Sequence, residues 1–121
     1  MTALFIEYPP CSTCKKAKKY LLEQGIMIES RHIVESTPTV SELTGWIQKS
    51  GLPLKRFFNT SGNIYKQLGL KDKLSEMTEL EHIQLLASQG MLIKRPIVVI
   101  GQHVLVGFKV SEYETVLKHL S

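Results

Sequence analysis

The spacing of apolar and polar residues divides the chain into strands and helices before any side-chain chemistry is considered. Thr2 to Tyr8 carries Leu4, Phe5, Ile6 and Tyr8 and closes at Pro9-Pro10, which predicts a short buried strand ended by a breaker. From Cys11 onward Ala17, Tyr20 and Leu21 recur at helical spacing, and Gly25 supplies the stop. Ile26 to Ile33 then reads as a second strand, because Ile26 and Ile28 alternate with polar neighbours, so the first third of the chain is a βαβ unit. The middle is helical. Thr39 and Glu42 form a capping box before Val40, Leu43, Trp46 and Ile47 on one face, and Gly51 stops that helix. Thr78 and Glu81 repeat the device ahead of a face made by Leu80, Ile83, Leu86 and Ala87. Between them, "FFNTSGNIYKQLGLKDKL" predicts one or two short helices around a turn at Ser61-Gly62. "RPIVVIGQHVLVGF" is two β-branched runs around Gly101-Gln102, a hairpin signal. Ser111 and Glu114 predict a third capping box, with Val110, Tyr113, Val116, Leu117 and Leu120 facing inward.

The resulting order is strand, helix, strand, helical block, hairpin, helix. That alternation predicts an α/β domain with the element order of a thioredoxin-like fold: a mixed sheet of about four strands flanked by helices, with a helical insertion at approximately residues 38–90. No composition shift or linker sets the block apart, so residues 1–121 are expected to form a single domain with a subdomain.

Length and charge narrow the setting. A chain of 121 residues is long enough to bury a core without cross-links. The N-terminus lacks a basic segment followed by an apolar core, and no apolar stretch approaches the roughly 20 residues that span a bilayer, so a soluble cytoplasmic protein is expected. The net charge of +4 comes from scattered lysines, which predicts neither direct nucleic-acid binding nor membrane attachment. In a reducing compartment a close cysteine pair points to catalysis, redox sensing or metal binding rather than a permanent staple.

Cys11 and Cys14 are the two cysteines of the chain and stand three apart at the predicted helix start. Zinc fails on ligand count: there is no second CxxC, and His32, His82, His103 and His119 lie in separate elements. A redox role has a direct physical basis. A thiolate at a helix N-terminus is stabilised by unpaired N–H groups and the helix dipole, which moves a cysteine pKa from ~8.5 toward ~3.5–7.5. Cys11 occupies that end and reads as nucleophile. Cys14, on the same face one turn deeper, reads as resolving thiol. Two small buried hydrophobes are the alternative for the pair, and it stays open at this point. Among Lys15, Lys16, Lys18 and Lys19, the residue near enough in sequence to bear on Cys11 is Lys15, and the others read as a solvated face. Arg95-Pro96 stands directly before the third strand; the proline suits a strand's first position, and the arginine brings a planar, permanent charge suited to oxyanions or carboxylates. An ordinary surface arginine is the other reading.

Together "YPPCSTCKKAKKYLLEQG", "FFNTSGNIYKQLGLKDKL" and "GMLIKRPIVV" with "LVGF" resemble the arsenate reductase/Spx (ArsC/Spx-like) family over essentially the whole chain. The resemblance implies a thioredoxin-like fold with a helical insertion and a cis bond at Arg95-Pro96. For the glutaredoxin-coupled arsenate reductases it implies that the cysteine matching Cys11 attacks arsenate while three arginines bind the oxyanion, Arg95 matching one of them. The other two positions fall at Asn59 and Phe108, with Lys109 beside the latter as a shifted cation. Lys15, Asn59, Pro96 and Lys109 are the substrate-side residues this implies, around Cys11, Cys14 and Arg95. Cys14 is absent from those reductases and matches the Spx branch, whose members bind the C-terminal domain of the RNA polymerase α subunit near a glycine that corresponds to Gly51; a left-handed helix stop is the plainer reason for Gly51. The function expected is thus a thiol-disulfide redox protein, with a redox-sensing regulator that binds RNA polymerase as the alternative. No bound cofactor or metal is expected, and the resemblance implies glutathione with glutaredoxin, or thioredoxin, as electron donor and partner.

Overall fold

β1 (Thr2–Glu7) and β2 (Met27–His32) pair in parallel, with Glu7 opposite His32, and α1 (Ser12–Glu23) makes the crossover between them. The computed structural model describes residues 1–120. The chain divides into two compact units, Met1–His32 with the chain from Arg95 onward, and Ile33–Lys94, a few residues wider at each end than the insertion expected at 38–90.

In the first unit, β3 (Ile97–Ile100) runs antiparallel to β1 and to β4 (His103–Val106), giving the order β2-β1-β3-β4. Four strands in a mixed sheet match the expectation. Ile100 pairs with His103 across the two-residue connection Gly101-Gln102, and Gly101 takes φ +58°, the left-handed conformation such a tight hairpin needs. α6 (Val110–Leu120) follows. Alternate residues of β1 and β3 supply the core: Ala3, Phe5, Val98 and Ile100 are buried against Cys14, Ala17 and Leu21 of α1 and Tyr113 of α6. Tyr113 is fully buried, and its hydroxyl is satisfied by donating to the Gly107 carbonyl at 2.7 Å.

Local hydrogen bonds set where elements end. The Tyr8 carbonyl accepts from the Cys11 N–H at 2.9 Å, so the chain turns after Glu7 and β1 stops one residue short of the expected Tyr8. α1 closes with Ile26 N–H to Leu21 and Gly25 N–H to Leu22 carbonyls at 3.0 Å each, the Schellman pattern, which delays β2 to Met27. The third capping box does not form. α6 begins at Val110, and the Lys109 carbonyl accepts from the N–H groups of Glu112 and Tyr113, so Ser111 lies inside the first turn; Val110, expected to face inward, is 43 % exposed.

The second unit contains α2 (Val40–Ser50), α3 (Asn63–Gln67), α4 (Leu70–Lys73) and α5 (Glu79–Ser88), with short 3-10 turns at Leu54–Phe57, Leu74–Glu76 and Gly90–Leu92. Its buried residues include Ile33, Leu43, Trp46, Phe57, Phe58, Ile83, Leu86, Leu92 and Ile93. Leu80 was expected on the buried face and is instead 56 % exposed, since Ile83 and Leu86 define the inward side of α5. Both middle capping boxes are complete: Thr39 Oγ1 accepts from Glu42 N–H at 3.1 Å while Glu42 Oε1 accepts from Thr39 N–H at 3.0 Å, and Thr78 with Glu81 repeats these distances. Thr39→Ala or Thr78→Ala is expected to lower stability by about 1 kcal/mol each, read as a shifted urea midpoint at unchanged slope. Among the described residues no helix is long and apolar enough to cross a membrane.

Candidate functional site

The site forms where β1 turns into α1. Cys11 is the N-cap of α1, with extended backbone at φ −71° and ψ 123°, and Cys14 is the third residue of the helix. Cys11 is half-buried, Cys14 is fully buried, and both are free thiols. As a neutral thiol the Cys11 side chain makes no capping hydrogen bond. Partial burial pushes its pKa up, but this is outweighed by what favours the charged sulfur: the Cys14 N–H, the Cys14 thiol, the Thr13 N–H and the Arg95 guanidinium together bring it below the ordinary thiol value. Cys14 moves the opposite way. Burial is the main cause, and although the Tyr8 N–H favours its thiolate, the neighbouring Cys11 and Glu7 oppose it, so that its pKa is pushed up to about 12. One thiol is thus predisposed to ionise and the other to remain protonated, facing it.

Tyr8 links the parts. Its carbonyl accepts from Cys11 N–H, its ring lies 5.3 Å from the Arg95 guanidinium carbon, and the same ring meets His32 edge-on at 5.8 Å between centroids. The Arg95–Pro96 peptide is cis, and Pro96 is buried immediately before β3. Arg95→Met is therefore expected to slow iodoacetamide alkylation of Cys11 at neutral pH and to move the midpoint of its pH dependence upward, toward the free-thiol value.

The structure brings Cys11, Cys14, Arg95 and Pro96 into one unit and places the other candidates differently. Lys15 is exposed one turn along α1; the cation acting on Cys11 is Arg95. Lys109 is exposed, and its carbonyl serves the first turn of α6. Phe108 packs on Tyr113 at 5.0 Å and Tyr20 at 5.7 Å between ring centroids, an aromatic contact rather than an anion contact. Asn59 belongs to the second unit, where its N–H donates to the Leu92 carbonyl at 2.8 Å and its Oδ1 accepts from the Ser61 hydroxyl at 3.3 Å, a turn-forming role. Two residues of the site escaped the sequence reading, Tyr8 and Glu7. Glu7 is buried and lies 2.6 Å from Lys18 Nζ, so Lys18 is not part of a uniformly solvated face. The signal for Glu7 was present: Ala3, Phe5 and Glu7 alternate on one side of β1, which puts an acid on the inward face. Among the described residues no three His, Cys, Asp or Glu side chains come together as a metal site.

A four-stranded mixed sheet flanked by helices, with a dithiol at the start of its first helix, defines a thioredoxin-like α/β protein. The ArsC family model matches residues 6–116, and the chain belongs to the ArsC family. It is 53 % identical over 114 residues to the uncharacterized protein YusI of Bacillus subtilis, covering 94 % of this chain and 97 % of that one. The regulatory protein MgsR of Bacillus subtilis is 31 % identical over 108 residues (89 % and 84 % covered), and the global transcriptional regulator Spx of Streptococcus pyogenes is 23 % identical over 117 residues (97 % and 85 %). Among solved structures, an ArsC family related protein from Bacteroides fragilis superposes with a TM-score of 0.91 at 57 % identity over 95 % of this chain and 97 % of its own. The arsenate reductase from Vibrio cholerae gives 0.82 at 28 % identity over 98 % and 97 %.

Proposed function

We propose that this protein is a thiol-disulfide oxidoreductase in which Cys11 is the nucleophile and Cys14 the resolving thiol. The observation that carries the reading is the opposed pair itself: a half-exposed thiol on the N-cap residue of α1, favoured as thiolate, with a fully buried thiol that favours its protonated form beside it one turn deeper. The Cys11 thiolate attacks one sulfur of a disulfide substrate, forming a mixed disulfide and releasing the other half as a thiolate. Cys14 then attacks Cys11, closing the Cys11–Cys14 disulfide and releasing the second half. Glutathione with glutaredoxin, or thioredoxin, returns the pair to dithiol. Arg95, held on the Tyr8 ring, supplies positive charge for an anionic group such as a glutathione carboxylate or an oxyanion.

Arsenate is the less favoured substrate, because the positions where arginines were expected hold Asn59 and Phe108, and each of these side chains is occupied in local packing. The deciding assay is NADPH oxidation by the purified protein with a low-molecular-weight disulfide or with arsenate, coupled separately to glutathione with glutaredoxin and to thioredoxin. Turnover with the disulfide that disappears in Cys11→Ser supports the reading and identifies the donor. No turnover with any pairing contradicts it. A second reading, redox-dependent contact with the C-terminal domain of the RNA polymerase α subunit, draws on the likeness to regulators such as MgsR; retention of that domain by only one redox form in a pull-down would favour it.

A further inference from the structure

α1 places Lys15, Lys16, Lys18 and Lys19 directly after its cysteine pair, with no acid before Glu23, its last residue. Lys15, Lys18, Lys19 and Leu22 share one side of the helix and, with Glu23, line a shallow hollow. Cys11 heads the same stripe. The Lys15 N–H donates to the Cys11 carbonyl at 3.2 Å, so Cys11, Lys15, Lys19 and Leu22 follow one another at helical spacing. Lys15 and Lys19 are exposed, and Leu22 is 55 % exposed, while Lys18 turns inward to Glu7.

Nothing within the chain accounts for this row. Among the described residues no ion pair engages Lys15, Lys16 or Lys19. Cations at i, i+3 and i+4 repel one another, and cations in the first half of a helix oppose its dipole, so the row costs helix stability. Solubility is served as well by interspersed charges of both signs. The cation that acts on the Cys11 sulfur is Arg95, so the lysines are not what favours the thiolate. What the row does provide is a positive strip that starts at the nucleophile and ends on an exposed leucine. From Cys11 to Leu22 it runs about 16 Å along the helix axis, the reach of about five residues of extended chain.

We infer that this strip docks an acidic polypeptide segment adjoining the disulfide that Cys11 attacks. The inference deepens the dithiol reading above and rests on it, by giving the substrate class: protein disulfides with carboxylates a few residues from the cysteine. Lys15 and Lys19 meet the carboxylates, and Leu22 meets an apolar side chain farther along the segment. A nucleic-acid backbone calls for a broader array of cations than one helix side offers, and Leu22 gives a phosphate no contact.

The test has a binding arm and a rate arm, both on the reduced full-length chain. For binding, a fluorescein-labelled peptide with Glu at the second and fourth positions after a serine is compared by anisotropy with its Gln counterpart, the serine standing in for the disulfide cysteine. For rate, the same peptides carry that cysteine as a mixed disulfide with thionitrobenzoate. Cys11 attacks the peptide sulfur, the bond to thionitrobenzoate breaks, and thionitrobenzoate leaves as a coloured thiolate with the electron pair. At about 20 mM salt the Glu peptide is expected to bind and react at least about tenfold better than the Gln peptide, a ratio that falls toward one by about 0.5 M salt. Lys15→Gln/Lys19→Gln is expected to bring the ratio toward one at low salt. Lys71→Gln/Lys73→Gln, which removes the same charge from exposed lysines of the second unit, is expected to keep it. A ratio of one in the native protein, or equal loss in the two double variants, overturns the inference; release from both peptides then leaves the dithiol reading standing. A duplex oligonucleotide that binds more tightly than the Glu peptide, and is lost in Lys15→Gln/Lys19→Gln, also overturns it. Selective binding of the Glu peptide with no release from either peptide overturns the dithiol reading and leaves the acidic docking strip standing.

Discussion

Cys11→Ser is expected to reduce disulfide exchange to the uncatalysed background, whereas Cys14→Ser is expected to keep the first exchange and stall after it. The two thiols stand in unequal settings. Cys11 is the N-cap residue of α1, and two backbone N–H groups, the Cys14 thiol and Arg95 lower its pKa, so on the proposed reading it is the attacking sulfur. A serine hydroxyl in the same place does not ionise near neutral pH, and Cys14, fully buried with its pKa pushed up to about 12, is not expected to take over the first step. In Cys14→Ser the mixed disulfide on Cys11 has no intramolecular partner and accumulates. Intact-mass spectrometry after one equivalent of oxidised glutathione separates the cases: no adduct for Cys11→Ser, a persistent glutathione adduct for Cys14→Ser, and loss of two hydrogens with no adduct for the native chain.

The largest effect on stability is expected at Gly90, in the second unit, far in character from any catalytic role. A Cβ built there would sit 2.2 Å from the Ile33 carbonyl oxygen and 2.8 Å from its carbon. Both are backbone atoms, so no rotamer change relieves the overlap and one of the two segments must move. Overpacking of this kind costs roughly 1–3 kcal/mol and occasionally more; with main chain on both sides Gly90→Ala belongs at the upper end, about 3 kcal/mol. For a chain of this size that corresponds to a Tm lowered on the order of 10 °C, measurable by circular dichroism. A loss under about 1 kcal/mol would mean that the Ile33 and Gly90 segments are not held in register. Gly51 offers the contrast, with nothing within 4 Å of its Cβ but φ +66°, so its requirement is conformational rather than steric.

The fold was legible wherever periodicity and turn chemistry agreed. The βαβ start, both middle capping boxes and the Gly101-Gln102 hairpin each rest on local signals that tertiary contacts reinforce. The third box failed for an instructive reason: Ser111 and Glu114 have the spacing, but the Lys109 carbonyl had already engaged the first turn of α6, and a cap motif placed one residue inside the helix has no N-terminus to cap. At the site, the cysteine pair and its place at a helix start could be read from CxxC. Tyr8 could not, because its part depends on Arg95 from far along the chain arriving over its ring. Glu7 was hidden by composition, since a strand read from its leucine, phenylalanine and isoleucine gives no weight to the one acid, and its partner Lys18 looked like one of four surface lysines. Asn59 was carried by family resemblance, and its hydrogen bonds with Leu92 and Ser61 account for it as a turn residue.

The central claim is that Cys11 is a thiolate nucleophile made by its position. Its most direct test is the rate of iodoacetamide alkylation of the reduced protein as a function of pH, with peptide mass spectrometry locating the label and a free thiol such as N-acetylcysteine measured alongside. The account predicts that the label enters at Cys11, with a midpoint below that of the free thiol, while Cys14 stays unlabelled. Equal labelling of the two cysteines, or a Cys11 midpoint at or above the free thiol, would contradict it.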